Sequence, residues 1–289
     1  MKSTLQPFAP AAAQPTSKTN PEKVTKYNVL RNNFSIGTWI VLGSVLQGLA
    51  SLILPRRYAL APAVGLLSFR LLRTGLMCLG LVPNPHMDEV FPGKFSGLIP
   101  GRDGSPPQRG SDQEVAVIIL ASRSNHPLGI FAPGYNDLSI RFGELLTELH
   151  MNAEETGFLG NTTWLNASEQ YTTNQSMVLI YFRSREDLEA FAHGPSHRRA
   201  WDWWHSITAA HPHLSIMHEV YHAPAGHWEN IWINNHLSGI AGTVARMEGP
   251  DGQRLRPVFE AGKGPLRTHL GRLGGGDGRE NEKYGEAEY

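Results

Sequence analysis

Between His193 and His236 the chain gathers nine of its 13 histidines and five of its seven tryptophans. The densest stretch, "FAHGPSHRRAWDWWHS" at 191–206, carries three of each. Both residue types hold a polar ring atom that needs a partner when buried, so a helix that only packs is filled more simply by Leu and Ala. An imidazole titrates near neutral pH and serves as a base, and an indole N–H donates to a developing anion. If a helix restarts at Ser196, then His197, Trp201 and Trp204 line one side of it at spacings of four and seven. The packing alternative makes the tryptophans space-filling residues against a sheet and the histidines their partly exposed neighbours.

Further on, "LSIMHEVYHAPAG" at 214–226 alternates as a strand does. His218 and His222 then share a face with Leu214, Ile216 and Val220, while Glu219 and Tyr221 point the other way. Two imidazoles among aliphatic side chains are either satisfied core histidines or a base and its partner. His193-x3-His197 and His218-x3-His222 have ligand-like spacing, but Cys78 is the only cysteine and no metal is expected. No Gly-rich phosphate fingerprint follows a strand and no Gly-x-Ser-x-Gly elbow is present. These observations argue against a Rossmann nucleotide or flavin site and against a hydrolase elbow. What remains is an aromatic cavity suited to a hydrophobic organic substrate, or to haem.

These residues need a scaffold, and 289 residues suffice for one domain with extensions. The 26 basic and 26 acidic side chains cancel, leaving no field to recruit a polyanion, so nucleic acid is not an expected partner. A lone cysteine excludes an internal disulfide and fits a reducing compartment. Four Asn-x-Ser/Thr triplets, at Asn33, Asn161, Asn166 and Asn174, are read as chance occurrences.

Composition divides the chain into a solvated tail at 1–35, a membrane anchor at 36–83, a linker at 84–106, a globular domain at 107–248 and a second solvated tail at 249–289. Ile36 to Leu54 runs nineteen residues without a charge, long enough for one crossing. Tyr58 to Val82 is also apolar but holds Arg70 and Arg73, which reads as an interfacial helix or the second arm of a hairpin. The polar residues ahead of the first run rule out a cleavable secretory signal there. Basic residues flank the first run on both sides, so the charge rule sets no orientation. A hairpin with a single thiol favours a cytosolic domain, and the expected location is the endoplasmic reticulum membrane.

Within the domain, "EVAVIILAS" at 114–122 reads as a buried strand, and Leu138, Phe142, Leu145 and Leu149 mark a helix capped by Asn136 or Asp137. "GFLGNTTWLN" and "SMVLIYFRS" read as strands joined through 166–175, and Ser184 with Asp187 starts a second helix that Gly194-Pro195 interrupts. With the strand at 214–226 the order is βαββαβ, an α+β ferredoxin-like domain. Its sheet has one bare face, so a homodimer enclosing a chamber is expected. The segment "HWENIWINNHLSGIAG" reads as an arm over that chamber or over the partner.

"MDEVFPGKFSGLIPGR", "HPLGIFAPGYNDLSIRFGELL", "FRSREDLEAFAHGPSHRRAWDWW" and "HEVYHAPAGHWENIWINN" together resemble the fungal membrane-anchored monooxygenases related to antibiotic-biosynthesis monooxygenases, over roughly residues 85 to 245. Members occur in fungal terpenoid and polyketide gene clusters, fumagillin's among them. The resemblance implies a dimeric α/β-barrel and, often, oxygenation of a lipophilic intermediate by O2 without a cofactor. It implies as well that relatives of this fold hold haem, the aldoxime dehydratases among them. No catalytic motif transfers residue by residue. Position alone nominates His218 or His222 as base, His197 as second imidazole, and Trp201, Trp204, Tyr221, Trp232 and Asn235 as substrate contacts. A non-catalytic, membrane-tethered binding domain is the remaining alternative.

Overall fold

The computed structural model describes Leu5 and residues 21–167, 174–249 and 254–279. Most of the expected first tail, much of the expected connection between the two middle strands, and the last ten residues lie outside them. Helices α1 (Pro21–Asn32), α2 (Ile36–Ile53) and α3 (Arg56–Cys78) come first, followed by β1 (Val90–Gly97). The domain then runs β2 (Val115–Ser124), α4 (Tyr135–Met151), α5 (Ala153–Thr156), β3 (Phe158–Leu165), β4 (Ser176–Phe182), α6 (Arg185–His193), α7 (Pro195–Thr208) and β5 (Leu214–Ala223). Strands β6 (Trp232–His236), β7 (Met247–Glu248), β8 (Arg254–Leu255) and β9 (Val258–Glu260) and helix α8 (His269–Arg272) complete it.

The principal sheet has the order β3-β4-β2-β5 with every pair antiparallel, which is the ferredoxin-like α+β arrangement. Alternation assigns its faces. Ala116 and Ile118 of β2, Val178, Ile180 and Phe182 of β4, and Phe158 of β3 pack beneath Leu149 and Leu188 of the helices. Ser184 caps α6 as its sequence signature indicates, its Oγ accepting from the Asp187 N–H at 3.1 Å, and Pro195 opens α7. The cap of α4 lies two residues ahead of Asn136, the nearer of the expected caps, at Gly134, whose φ of 79° suits glycine.

Three expectations change. The second tail folds: β9 pairs with β1, and Val258, Phe259, Ala261 and Leu266 are buried, each large apolar side chain contributing about 1.5–3 kcal/mol. Its Arg272 bonds Glu229 of the preceding domain at 2.5 Å, so this arginine marks an ion pair rather than solvation. The linker contributes β1, which pairs β6 and β9 in a second, three-stranded sheet. The first tail contains α1 and, in Leu5, a side chain buried with Leu98, Met247 and Phe259.

The arm lies over its own sheet. Trp228, Trp232 and Ile240 pack with Ile99 and Leu159 against Val117, Tyr181 and Ala223, covering one end of the face opposite the helices. Gly97 permits this approach, because a Cβ there would lie 2.8 Å from the Ala241 Cα. Helices α2 and α3 stand clear of the domain core, and Ala59 is the one buried residue between them, its carbonyl accepting from Gln47 Nε2 at 3.1 Å. Both are long and apolar enough to cross a membrane, by length and composition.

Candidate active site

Helix α7 packs on α4 and α6 but leaves the outer edge of the sheet uncovered. Register places Ile216, His218, Val220 and His222 of β5 opposite Ser122, Leu120, Ile118 and Ala116, on the helix side. All four remain exposed. An open groove therefore runs between α7 and β5, apolar in its floor and carrying imidazoles.

His197 lies on the inner flank of α7, half-buried, its ring 5.6 Å from that of Phe191. Burial holds its imidazole below the ordinary histidine range. A hydrogen bond with the Ala192 backbone opposes this, and charge on His218 or His193 would reinforce it. Its neutral form is thus favoured, with His218 its electrostatic neighbour across the groove. Trp204, a half-buried residue two turns on, packs beside Ala132, Tyr135 and Leu214. Trp201 is exposed on the same helix, edge-on to His205 at 4.8 Å. Trp203 faces α4 instead, with the Arg141 guanidinium 4.7 Å above its ring.

The other candidates fall elsewhere. His222 is four residues along β5 from His218, about 13 Å away, where its Nε2 meets Glu114 Oε2 at 2.5 Å. Tyr221 projects from the opposite face and donates to Glu219 Oε2 at 2.6 Å, which pushes the phenol pKa up. Trp232 stacks on Phe95 at 5.9 Å and donates from Nε1 to Ser238 Oγ, joining the two sheets. Asn235 is exposed on β6 opposite Phe91, its Oδ1 accepting from the His236 N–H. The structure thus brings His197, His218 and Trp204 to the groove, leaves His222 at its far end held by Glu114 and Trp201 in solvent on α7, and sets Tyr221, Trp232 and Asn235 apart from it.

Two features had no counterpart in the sequence reading. Between α4 and α7, Ser196 donates to Glu148 Oε1 at 2.6 Å and accepts from Arg199, beside a cavity of about 60 Å³. A larger cleft of about 210 Å³ is lined by Arg102, Asp103, Glu154, Arg183, Arg246 and Glu248, whose charges balance. Neither is lined by any of the eight residues nominated above. Both assemble side chains distant in sequence, which no local spacing marks. Among the described residues no three His, Cys, Asp or Glu side chains gather as a metal would require.

The family model described as monooxygenase af470-like matches residues 115–240, the span from β2 through β6. A curated relative, "Monooxygenase af470" of Aspergillus fumigatus, is 32% identical over 208 residues, covering 72% of this chain and 74% of its own. Among solved structures, aldoxime dehydratase OxdRE in complex with butyraldoxime aligns over 49% of this chain and 42% of its own, at 17% identity and a TM-score of 0.38. SnoaB, a cofactor-independent oxygenase from Streptomyces nogalater, aligns in its N63A form over 37% of this chain and 90% of its own, at 12% identity and a TM-score of 0.25. This chain spans under half the length of the aldoxime dehydratase it matches.

Proposed function

Since this chain belongs to the monooxygenase af470-like family and is a monooxygenase, we propose that the groove between α7 and β5 is where it acts, without a cofactor, on a lipophilic, enolisable or phenolic intermediate of secondary metabolism. The observation that carries this reading is the half-buried His197, held against Phe191 on the inner flank of α7 with His218 as its neighbour across the groove. His197 takes a proton from an activated CH2 of the substrate. The resulting carbanion reduces O2, and the peroxide formed collapses. One oxygen atom stays as a carbonyl, the other leaves as water with the two hydrogens, so CH2 and O2 become C=O and H2O. His218, the neighbour of His197 across the groove, stabilises the developing negative charge.

The groove is open along β5, an edge strand with unpaired backbone and exposed apolar residues on both faces, among them Met217, Val220 and Tyr221. A second copy of the chain covering this edge accounts for that exposure and would close the groove. Helices α2 and α3 tether the enzyme to a membrane, the endoplasmic reticulum in this proposal, with the domain cytosolic. Two observations favour that side. The amides of Asn33 and Asn174 are buried and accept hydrogen bonds from the Ile130 and Ser124 N–H groups, and the lone Cys78 is a free, exposed thiol.

An absorption spectrum of the purified full chain, followed through haemin titration, tests the cofactor assignment. A featureless spectrum without a saturable Soret shift is expected. A Soret band lost on His197→Ala or His218→Ala would make this a haem enzyme instead.

A further inference from the structure

The start of α2 is fastened to the domain at one place. Asn33, 7% exposed, accepts at Oδ1 from the Ile130 N–H at 3.0 Å. Ile130 belongs to a 3-10 turn, Gly129–Phe131, that precedes α4. Phe34 bridges the joint, its ring 6.2 Å from Phe131 and 5.5 Å, edge-on, from Trp39. Trp39 in turn donates from Nε1 to the Arg31 carbonyl. The 3-10 turn is thus held beside Ile36, the first residue of the apolar helix.

What this turn presents is apolar. Leu128 and Phe131, three residues apart and so on one side of a 3-10 turn, are 56% and 59% exposed, with the exposed Pro127 beside them. Behind them Ile130 and Ala132 pack with Trp204, which leads to the groove. A surface aromatic and a leucine, continuous with an aromatic pair at the mouth of a membrane-length helix, match the headgroup boundary of a bilayer.

We propose that residues 127–131 form a membrane-seating loop: Leu128 and Phe131 enter the lipid interface beside α2, and Asn33 fixes the domain's tilt so that the Trp204 side of the groove faces the bilayer. A lipophilic substrate would then pass from lipid to the groove without crossing bulk water. This rests on α2 being inserted in a membrane.

The test uses the full chain in a Cys78→Ser background, with an environment-sensitive fluorophore on Leu128→Cys, Phe131→Cys, Leu46→Cys or Met151→Cys, in phosphatidylcholine vesicles with or without brominated acyl chains. Leu46 reports the α2 insertion itself. Met151, exposed at the far end of α4 and about 25 Å along that helix, is the aqueous control. The expected result is a blue shift and bromine quenching at positions 128 and 131, with none at 151. Quenching at 46 with water-like emission at 128 and 131 would overturn the seating loop and leave the anchor standing. Water-like emission at all four positions would overturn both.

Discussion

The His197 imidazole lies against the Phe191 ring at a centroid distance of 5.6 Å and an angle of 59°, which puts an aromatic wall behind the proposed base. Phe191 itself packs on the main core beside Phe182, at 5.7 Å. The base is therefore positioned by the core rather than by a loop.

Replacing His197 by Gln keeps a polar side chain of similar reach and removes the titrating nitrogen. Substrate-dependent oxygen uptake is expected to fall by about 10²–10⁴-fold, with thermal stability near that of the parent. His222→Gln, about 13 Å along β5 from His218 and paired with Glu114, is expected to leave uptake unchanged. Comparable losses in both variants would place the chemistry elsewhere.

Burial lowers the His197 pKa, so the neutral base persists as pH falls below the ordinary value of about 6.5. The acid limb of kcat/KM is expected below that pH, and His218→Asn, which removes a neighbour that disfavours the charge, should move it upward. The same shift makes the folded state lose stability as pH drops from the unfolded value toward the folded one. An acid limb above pH 7 would contradict a buried neutral base.

Arg272 is 8% exposed and binds Glu229 through Nε at 2.5 Å and the Leu266 carbonyl through Nη1. Arg272→Ala removes the nearer partner of the partly buried Glu229, leaving His269 at 3.6 Å, and is expected to cost up to about 3 kcal/mol, below the range for a fully buried pair. Truncation after Gly249 removes β9 as well and should abolish a cooperative melting transition. A truncated chain that melts like the parent would show that residues 254–279 are dispensable.

Gly129 has φ of 57°, and a Cβ there would lie 1.9 Å from the Asn33 Oδ1. Gly129→Ala is expected to break the Asn33 to Ile130 bond, at a cost of about 1–3 kcal/mol from backbone strain. Faster amide exchange at Ile130 with the sheet unaffected is the readout. Unchanged exchange would mean the joint tolerates a methyl group.

Local pattern disclosed much of this molecule. β-branched runs marked β2 and β4, Ser184 and Asp187 marked the start of α6, and Gly194-Pro195 marked the break before α7. Alternation also put His218 on one face of β5 with Leu214, Ile216, Val220 and His222, and the register shows that face to be the helix side. The second sheet was not legible, because β1 is interrupted by Pro92 and Gly93, β6 and β9 have only five and three residues, and the three lie far apart in sequence. Nor was the division of the candidate site. His218 and His222 share a face four residues apart, and only the fold shows that His218 neighbours His197 while His222 meets Glu114. Trp232 and Trp201 have the same side chain and opposite fates, one between two sheets and one in solvent.

The most direct measurement is ¹⁸O₂ incorporation by the full chain in lipid vesicles, freed of metal by chelation and free of a Soret band, across lipophilic phenols and enolisable ketones. The expected result is one labelled atom per product with the parent chain and none above background with His197→Gln. Label incorporated equally by both, or only after haemin is added, would contradict a cofactor-free oxygenase that works through His197.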